Sequence, residues 1–218
     1  MKLYFVRHGE TYLNKYGRMQ GWSDAPLTEK GRESARECGK SLKGISFAGV
    51  ITSDLGRTIE TASIILKEME VDHEIQSMQE LRETFFGSFE GEKSRIAWNM
   101  IAKKNGYNSV KEFYQNAESL ASIMNDFSRA DSMNDAENFD QFWSRIEKGI
   151  EKIREKYKED ENILVVTHGN TIRNIACHFD KEVNPADEVI NSGITLIEVN
   201  EESCRLIAYN QQKIESQY

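Results

Sequence analysis

The sequence predicts an α/β fold, a three-layer sandwich in which helices flank both faces of a mostly parallel central sheet. Two almost wholly apolar runs, at 3–6 and 163–167, are typical of strands that are buried on both faces. Segments with apolar residues at helical spacing alternate with these runs and with other short strands. Such alternation favours a parallel sheet, because parallel neighbours need a helical crossover between them.

The first part of the predicted sandwich lies between residues 3 and 78. A short helix at 10–16 follows the first strand, and Thr28 has the residue type and position of a helix N-cap. The strand at 50–52 leads to a helix that we expect Ser53 to cap. Its predicted apolar stripe consists of Leu55, Ile59, Ala62, Leu66 and Met69. A weaker strand is predicted at 73–78.

The second part begins with a long helix, whose apolar face runs from Phe139 to Tyr157. The strand at 163–167 and a helix at 170–179 follow, and 194–199 with 205–209 form a closing pair of strands. Between the two parts, one helix is indicated by Ile96, Ala97, Met100 and Ile101, and another by Val110, Phe113, Tyr114, Ala117 and Ala121. We interpret 92–134 as a helical insertion over the active site of a single domain, 1–218, since about forty residues would not easily build their own core.

Net charge, hydropathy and cysteine content argue against several classes of protein. A net charge of −8 disfavours a nucleic-acid partner, because the phosphate backbone would be repelled. No apolar run approaches the ~20 residues that cross a bilayer, and the N-terminus becomes charged too early for a signal peptide. Three cysteines without CxxC spacing argue against disulfides and favour a cytoplasmic protein. The sequence leaves the oligomeric state open.

Two histidines follow predicted strands, at the edge of the sheet where α/β proteins bind their ligands. His8 ends the first strand in the segment RHGE (7–10), and His168 ends the strongest strand in THGN (167–170). In both segments the next residue is a glycine, which lets a ligand come close to the main chain. Each glycine leads towards a helix, whose N-terminal amides suit an anion.

Arginines complete the predicted anion site. Arg7 adjoins His8, and Arg57 lies in the first turn of the helix that starts near Asp54. Their guanidinium groups present paired donors that match the oxygens of a phosphoryl group. The sequence has no Walker-type, EF-hand or HExxH spacing, so it calls for no nucleotide loop, cofactor or metal. These residues indicate phosphoryl transfer from a small phosphorylated substrate.

Four blocks of sequence, in order, resemble the phosphoglycerate-mutase-like branch of the histidine phosphatase superfamily. The first is LYFVRHGET (3–11), with Asn14, QGW (20–22), Asp24 and PLTEKG (26–31). The second is SDLGRT (53–58) with Thr61 and Ala62, and the third is ELRE (80–83) with FG (86–87) and EG (90–91). VTHG (166–169) and Arg173 form the fourth. The resemblance covers nearly the whole chain except 92–134.

The resemblance implies a phosphohistidine mechanism. His8 would be the nucleophile, which must be neutral, and surrounding arginines favour this by lowering a histidine pKa. Arg7, Arg57 and His168 would hold the phosphoryl oxygens, and Glu83 would first protonate the leaving oxygen and then activate water. The implied substrate contacts are Asn14, Gln20, Gly21, Gly169 and, for a second phosphate or a carboxylate, Arg173.

Simpler interpretations compete for some of these residues. Arg57 could instead form a surface ion pair with Asp54 or Glu60, three residues away on the same helix. Only the resemblance selects Glu83 among its neighbouring carboxylates, which are Glu80, Glu90 and Glu92, and Glu10 is the next candidate for the acid. We interpret the aromatic residues of the insertion as packing groups rather than a substrate cage: Trp98, Tyr107, Phe113, Tyr114 and Phe127.

Three functions fit the pattern: a phosphatase, a phosphoglycerate mutase, and a non-catalytic module that binds a phosphorylated ligand or protein. Family mutases share an ERHYG-like block at the acid and paired arginines in the insertion. Here Glu83 is followed by TFFG (84–87), and the insertion has no Arg-Arg pair. The sequence therefore favours a phosphatase, and it leaves open which phosphomonoester is hydrolysed.

Overall fold

A six-stranded mixed sheet forms the middle layer of the computed structural model, which describes residues 1–200 and 203–214. Its strands are β1 (Lys2–Arg7), β2 (Gly49–Thr52), β3 (Ile75–Ser77), β4 (Asn162–Thr167), β5 (Ile194–Val199) and β6 (Cys204–Gln211). Their order across the sheet is β3-β2-β4-β1-β5-β6. The first four strands of this order pair in parallel, and β5 and β6 are antiparallel. The predicted mostly parallel sheet is confirmed.

Helices cover both faces of the sheet. In chain order they are α1 (Tyr12–Lys15), α2 (Glu29–Leu42), α3 (Gly56–Met69), α4 (Ser94–Lys104), α5 (Val110–Asn116), α6 (Leu120–Ala130), α7 (Phe139–Lys156) and α8 (Gly169–Phe179). Short 3-10 turns lie at Gln79–Leu81 and Gly87–Phe89. Within the described residues, no helix combines the length and the apolar character needed to cross a bilayer.

Alternation along the central strands explains their uninterrupted apolar sequences. In β1, Leu3 and Phe5 are buried in a cluster with α7 and α8, whereas Tyr4 and Val6 are buried in a cluster with α2 and α3. Neighbouring side chains of a strand point to opposite faces, so a strand between two helical layers needs apolar residues at every position. The same alternation holds for β4, from Ile163 to Val166.

The insertion forms a third apolar cluster. Ala97 and Ile101 of α4, Phe113 of α5, and Ile123 and Phe127 of α6 are all buried in it. The cluster also takes in Met19, Phe86 and Phe89, from outside the insertion. The insertion therefore packs with side chains of the segments that border the site, and its apolar cluster is shared with the rest of the domain.

Two local expectations are wrong. The second predicted helix of the insertion is two helices, α5 and α6, because Ser109 and Ser119 each accept a hydrogen bond from the backbone three residues later and start separate helices. Ser53 does not cap α3, which begins at Gly56 without a side-chain cap. The Ser53 hydroxyl is bound instead to the side chains of Thr58 and His168. The first predicted helix of the insertion is present as α4, in which Ile96 and Met100 are exposed.

Candidate active site

The carboxyl ends of β1 and β4 bring the two predicted histidines together. The strands are neighbours in the sheet, with Arg7 opposite Thr167, so His8 and His168 leave it side by side. Their ring centroids lie 5.3 Å apart, and both side chains are buried. These histidines are 160 positions apart in the sequence, and the parallel pairing of β1 with β4 makes them neighbours.

The environment of His8 fixes its tautomer and its charge. Nδ1 lies 2.8 Å from the carbonyl oxygen of Gly9, which can only accept, so Nδ1 carries the proton and Nε2 keeps its lone pair. Burial, and then the charges of Arg57 and Arg7, hold the pKa of His8 well below its usual value. His8 is therefore a neutral base with Nε2 as the available nucleophilic atom.

His168 uses both ring nitrogens for protein contacts. Nδ1 accepts a hydrogen bond from Nη2 of Arg57 at 3.0 Å, and Nε2 lies 2.8 Å from Oγ of Ser53, to which it donates. Burial and Arg57 lower the pKa of His168 well below its usual value. The ring therefore positions Arg57, and in this arrangement neither nitrogen is available to a phosphoryl oxygen.

Arg57 is almost completely buried, which the competing interpretation of a surface ion pair does not allow. Its guanidinium donates to the carbonyl oxygens of Gly21 (2.6 Å) and Ser23 (2.8 Å) and to Asp24 (3.0 Å). The two acidic residues proposed as its partners bind other arginines: Asp54 pairs with Arg82, and Glu60 with Arg32. Nε of Arg57 is buried without a partner among the described residues.

Glu90 holds the loop that in turn holds Arg57. Its carboxylate accepts hydrogen bonds from the backbone N–H groups of Gly21, Trp22 and Ser23 at 3.0 to 3.1 Å. A side chain at Gly21 would come within 2.1 Å of the carbonyl oxygen of Thr84, so only glycine fits there. Gly21 thus acts on the site through its carbonyl group, and Glu90 serves as an organiser of this loop.

Arg7 lies beside the start of α8. One of its terminal nitrogens donates to the carbonyl oxygen of Val189, and the same atom lies 3.4 Å from the carboxylate of Glu188. Its Nε finds no partner among the described residues. A side chain at Gly169 would come within 3.3 Å of that Nε, so the glycine leaves room for the guanidinium. Burial lowers the pKa of Arg7, although a guanidinium stays charged at neutral pH.

The carboxylate of Glu83 occupies the N-terminus of α8. Oε2 accepts a hydrogen bond from the N–H of Asn170 at 2.9 Å, and Oε1 accepts from the N–H groups of Thr171 (3.1 Å) and Thr84 (3.0 Å). We expected these amides to face an anion, and here they bind the carboxyl group of Glu83. Glu83 is 6% exposed and lines the cavity described next.

An open cavity of about 460 Å³ lies beside Arg7 and Glu83, and the buried side chains of His8, Arg57 and His168 lie outside its wall. Its wall includes Arg7, Glu83, Gly169, Asn170 and Arg173, together with Asn14 and Gln20 from the first block. The insertion contributes only Ser94, Trp98 and Tyr114 among the described residues, so two aromatic side chains that we interpreted as packing also face the cavity. A larger cavity of about 610 Å³ lies on the other side of Arg7, and neither Glu83 nor α8 lines it.

The two amide side chains of the first block are held by Thr11. Oε1 of Gln20 accepts from the Thr11 hydroxyl, and Oδ1 of Asn14 accepts from the Thr11 N–H at 3.2 Å. Nε2 of Gln20 has no partner among the described residues although the side chain is buried. Both amides therefore keep an NH₂ group for a ligand. Glu10, the other candidate acid, is bound to Thr28 and Lys30 instead.

Sequence reasoning missed Arg145, which supports Glu83 from behind. Its guanidinium donates to the carbonyl oxygens of Glu80, Arg82 and Glu83 at 2.7 to 2.9 Å, and it pairs with Glu137 through two nitrogens. The sequence offers one signal for this role. Arg145 lies on α7 next to the buried apolar face, where a charged side chain needs a partner.

Comparisons with known proteins identify the family of this chain. The family model of the histidine phosphatase superfamily (branch 1) matches residues 3–212. The adenosylcobalamin/alpha-ribazole phosphatase of Escherichia coli (strain K12) is 33% identical over 77% of this chain and 73% of its own. The 2,3-bisphosphoglycerate-dependent phosphoglycerate mutase 2 of Gloeobacter violaceus is 32% identical over 82% of this chain and 75% of its own.

Among solved structures, the phosphoglycerate mutase from Bacillus anthracis str. Sterne superposes with a TM-score of 0.92. It is 35% identical in sequence, and the match covers 97% of this chain and 93% of that one. Phosphatases and mutases are thus similarly related to this protein. The chain belongs to the histidine phosphatase superfamily.

Proposed function

We propose that the protein is a metal-independent phosphatase that hydrolyses a small phosphomonoester through a phosphohistidine at His8. The observation that carries the proposal is the hydrogen bond from Nδ1 of His8 to the carbonyl oxygen of Gly9. It leaves Nε2 as an unprotonated nucleophile next to two arginines. A histidine with a purely structural role would need no such free lone pair in a cationic site.

Three buried donors that lack partners within residues 1–200 and 203–214 support a phosphoryl site around His8. They are Nε of Arg7, Nε of Arg57 and Nε2 of Gln20. An unpaired buried donor costs about 1–3 kcal/mol, so a site that keeps several of them is suited to a ligand rich in acceptor oxygens. The dianionic phosphoryl group is such a ligand, and its charge would be balanced by the two guanidinium groups.

The proposed reaction has two steps. The Nε2 lone pair of His8 attacks phosphorus, the bond from phosphorus to the leaving oxygen breaks, and the carboxyl group of Glu83 gives its proton to that oxygen. Water then attacks the phosphohistidine, its proton passes to the Glu83 carboxylate, and the bond between phosphorus and nitrogen breaks. The products are the alcohol and inorganic phosphate, and His8 is regenerated.

The lining of the cavity supports hydrolysis over mutase activity. A mutase must hold a bisphosphorylated intermediate and protect it from water. The side chains that the insertion adds to the cavity wall, Ser94, Trp98 and Tyr114, are all neutral. Its cationic residues are exposed elsewhere: Lys93, Arg95, Lys103, Lys104, Lys111 and Arg129. Arg173 remains as one candidate for an anionic group of the substrate.

A phosphoglycerate mutase is the second candidate function, favoured by the relatives that carry this name. Arg173 could then bind the carboxylate of a phosphoglycerate.

We also propose a cytoplasmic location, which three free cysteines support: Cys38, Cys177 and Cys204.

The test is a rapid-quench experiment with a ³²P-labelled phosphomonoester under alkaline conditions, which preserve phosphohistidine. The label should map to the peptide that contains His8, and phosphate release should persist in EDTA. Purified protein should release phosphate from 3-phosphoglycerate faster than it interconverts 3- and 2-phosphoglycerate. Efficient isomerisation that depends on 2,3-bisphosphoglycerate would instead assign the mutase function, and binding without turnover would assign a non-catalytic module.

A further inference from the structure

A small side cavity lies next to the 460 Å³ cavity, which we call the catalytic cavity. The side cavity is bordered by the segment after Glu83, helix α8 and the insertion. Its volume is about 20 Å³, which suits one water molecule or one hydroxyl group. Its wall shares Phe86, Trp98, Asn170 and Arg173 with the catalytic cavity. The two cavities are therefore adjacent, and the smaller one lies behind the aromatic wall.

Three of the residues that line this side cavity each have a buried polar atom with no partner among the described residues. These atoms are Oγ1 of Thr84, Oδ1 of Asn174 and Nε of Arg173. Thr84 and Asn174 are each only 4% exposed. Buried polar atoms nearly always have hydrogen-bond partners, and three of them in one wall point to a bound group.

The orientation of each polar group is set by its other contacts. Nδ2 of Asn174 donates to the carbonyl oxygen of Asn170 at 2.8 Å, so the unpaired atom of this amide is an acceptor. Arg173 donates through Nη2 to the side chain of Asn170, so its unpaired Nε–H is a donor. The Thr84 hydroxyl can do either. The rest of the wall is apolar and comes mainly from α6: Leu120, Ile123, Met124 and Phe127.

We propose that the side cavity binds a hydroxyl group of the leaving alcohol, so that the substrate is the phosphomonoester of a small polyol. A hydroxyl can accept from Arg173 and donate to Asn174 at the same time. A carboxylate or phosphate offers only acceptors and would be repelled by Oδ1 of Asn174, and an ammonium would be repelled by Arg173. An alkyl group would leave all three polar atoms unpaired.

The position of the side cavity fits the leaving group rather than the phosphate. This step rests on the proposed function, in which Glu83 protonates the leaving oxygen. Thr84 follows Glu83 directly, and Asn170 contacts both the Glu83 carboxylate and the two α8 side chains of the side cavity. The alcohol portion of a substrate whose leaving oxygen faces Glu83 therefore lies next to the side cavity.

The test compares propyl phosphate with 3-hydroxypropyl phosphate, which differ by one hydroxyl. The wild-type protein should prefer the hydroxylated substrate in kcat/KM. Thr84→Val and Asn174→Leu, which remove the polar atoms at similar volume, should each lower that preference about five- to tenfold, the value of one or two hydrogen bonds. Thr195→Val, at a buried threonine of β5 that lines neither cavity, is the matched control and should keep the preference.

If the variants lose activity equally on both substrates, so that the preference is unchanged, the inference is overturned and the side cavity holds an ordered water only. A stronger preference for 2-carboxyethyl phosphate, which has a carboxylate in place of the hydroxymethyl group, over both probes would overturn it in favour of an anion subsite. Dissociation constants of the two probes for His8→Asn protein, measured by calorimetry, give the same comparison without turnover. If these show the preference while the wild type hydrolyses neither probe, the proposed function fails, whereas the assignment of the side cavity as a hydroxyl-binding subsite stands.

Discussion

Arg145 donates a hydrogen bond from Nη2 to the carbonyl oxygen of Glu83 at 2.8 Å, across 62 positions of sequence. The same guanidinium holds the carbonyl oxygens of Glu80 and Arg82, and its charge is balanced by Glu137, which is largely buried. Glu137 also accepts from the N–H of Phe85. The backbone on both sides of Glu83 is thus fixed by one ion pair that has no contact with the catalytic cavity.

Arg145→Lys should weaken acid catalysis without weakening substrate binding. Lysine keeps the positive charge, but its single nitrogen cannot bind three carbonyl groups and both oxygens of Glu137. A displacement of Glu83 near 1 Å can cost about 10²-fold in rate, so kcat for an alkyl phosphate should fall about 10- to 100-fold. The rate with p-nitrophenyl phosphate, whose leaving group needs no proton, and both KM values should change little.

The matched control for Arg145→Lys is Arg154→Lys on the same helix, since Arg154 is exposed and its one side-chain hydrogen bond to a described residue goes to the carbonyl of Asn200. It should leave both rates intact. Equal losses of kcat on the two substrates in Arg145→Lys would mean that the arginine only stabilises the fold.

Glu83→Gln should slow the phosphorylation of His8 most when the leaving group is poor. General acid catalysis contributes about 10²–10⁴-fold, and this factor should be lost with an alkyl phosphate and retained in large part with p-nitrophenyl phosphate. Single-turnover rates are required, because the second step also uses Glu83. Equal losses would make Glu83 a positioning group, and no loss would move the role to another carboxylate, with Glu10 tested first.

Glu83→Gln should also lower the stability of the protein, and this effect must be separated from the effect on the rate. In the glutamine variant an NH₂ group would face the N–H of Asn170, so one hydrogen bond to the start of α8 is lost. An unpaired buried donor costs about 1–3 kcal/mol, and urea unfolding should detect it. The comparison of two substrates on one protein removes this stability effect from the interpretation.

The strands and the two histidines could be predicted because each depends on local sequence. An uninterrupted apolar run identifies a doubly buried strand, and the residue after it lies at the edge of the sheet. The supporting contacts could not be predicted in this way. Arg145 and Glu90 bind backbone groups distant in sequence, and a backbone carbonyl or amide has no residue type that marks it as the partner. The contacts of the two ring nitrogens of His168 could not be predicted for the same reason. They depend on where α3 and the loop at 21–24 meet β4, and these elements are distant in sequence.

His8 should make the protein less stable as the pH falls below 6.5. In the unfolded chain the imidazole binds a proton near pH 6.5, whereas the folded protein keeps it neutral to a much lower pH. The unfolded state then binds more protons, so the unfolding free energy rises with pH in this window, by about 1.4 kcal/mol per pH unit for each such histidine. Above pH 6.5 the contribution is constant.

Urea unfolding at pH 5, 6 and 7 measures this linkage. His8→Gln should have a slope lower than the wild type by about one proton, because one of the two buried histidines is gone. The difference in slope is the readout, and a uniform change of stability at all three pH values does not affect it. Equal slopes in the two proteins would contradict a depressed pKa for His8.

Gly87→Ala should destabilise the fold much more than Gly91→Ala, although both glycines have positive φ, at 56° and 78°. A Cβ at Gly91 meets open space, so alanine there costs only the backbone strain, about 1 kcal/mol.

A Cβ at Gly87 would lie 2.2 Å from Oδ2 of Asp131 and 2.5 Å from the N–H nitrogen of Ala136. Burial alone would raise the pKa of the Asp131 carboxyl group. The hydrogen bonds that it accepts from the Ser88 hydroxyl and from several backbone N–H groups outweigh burial and lower the pKa to about 2. Displacing this carboxyl group should raise the cost to about 3 kcal/mol or more, measured by urea unfolding at neutral pH. The stability that Asp131 contributes is present above pH 3.8 and is lost as the pH falls towards 2, so the difference between the two variants should become smaller in acid. Equal losses at neutral pH would show that the Asp131 contacts do not hold this turn.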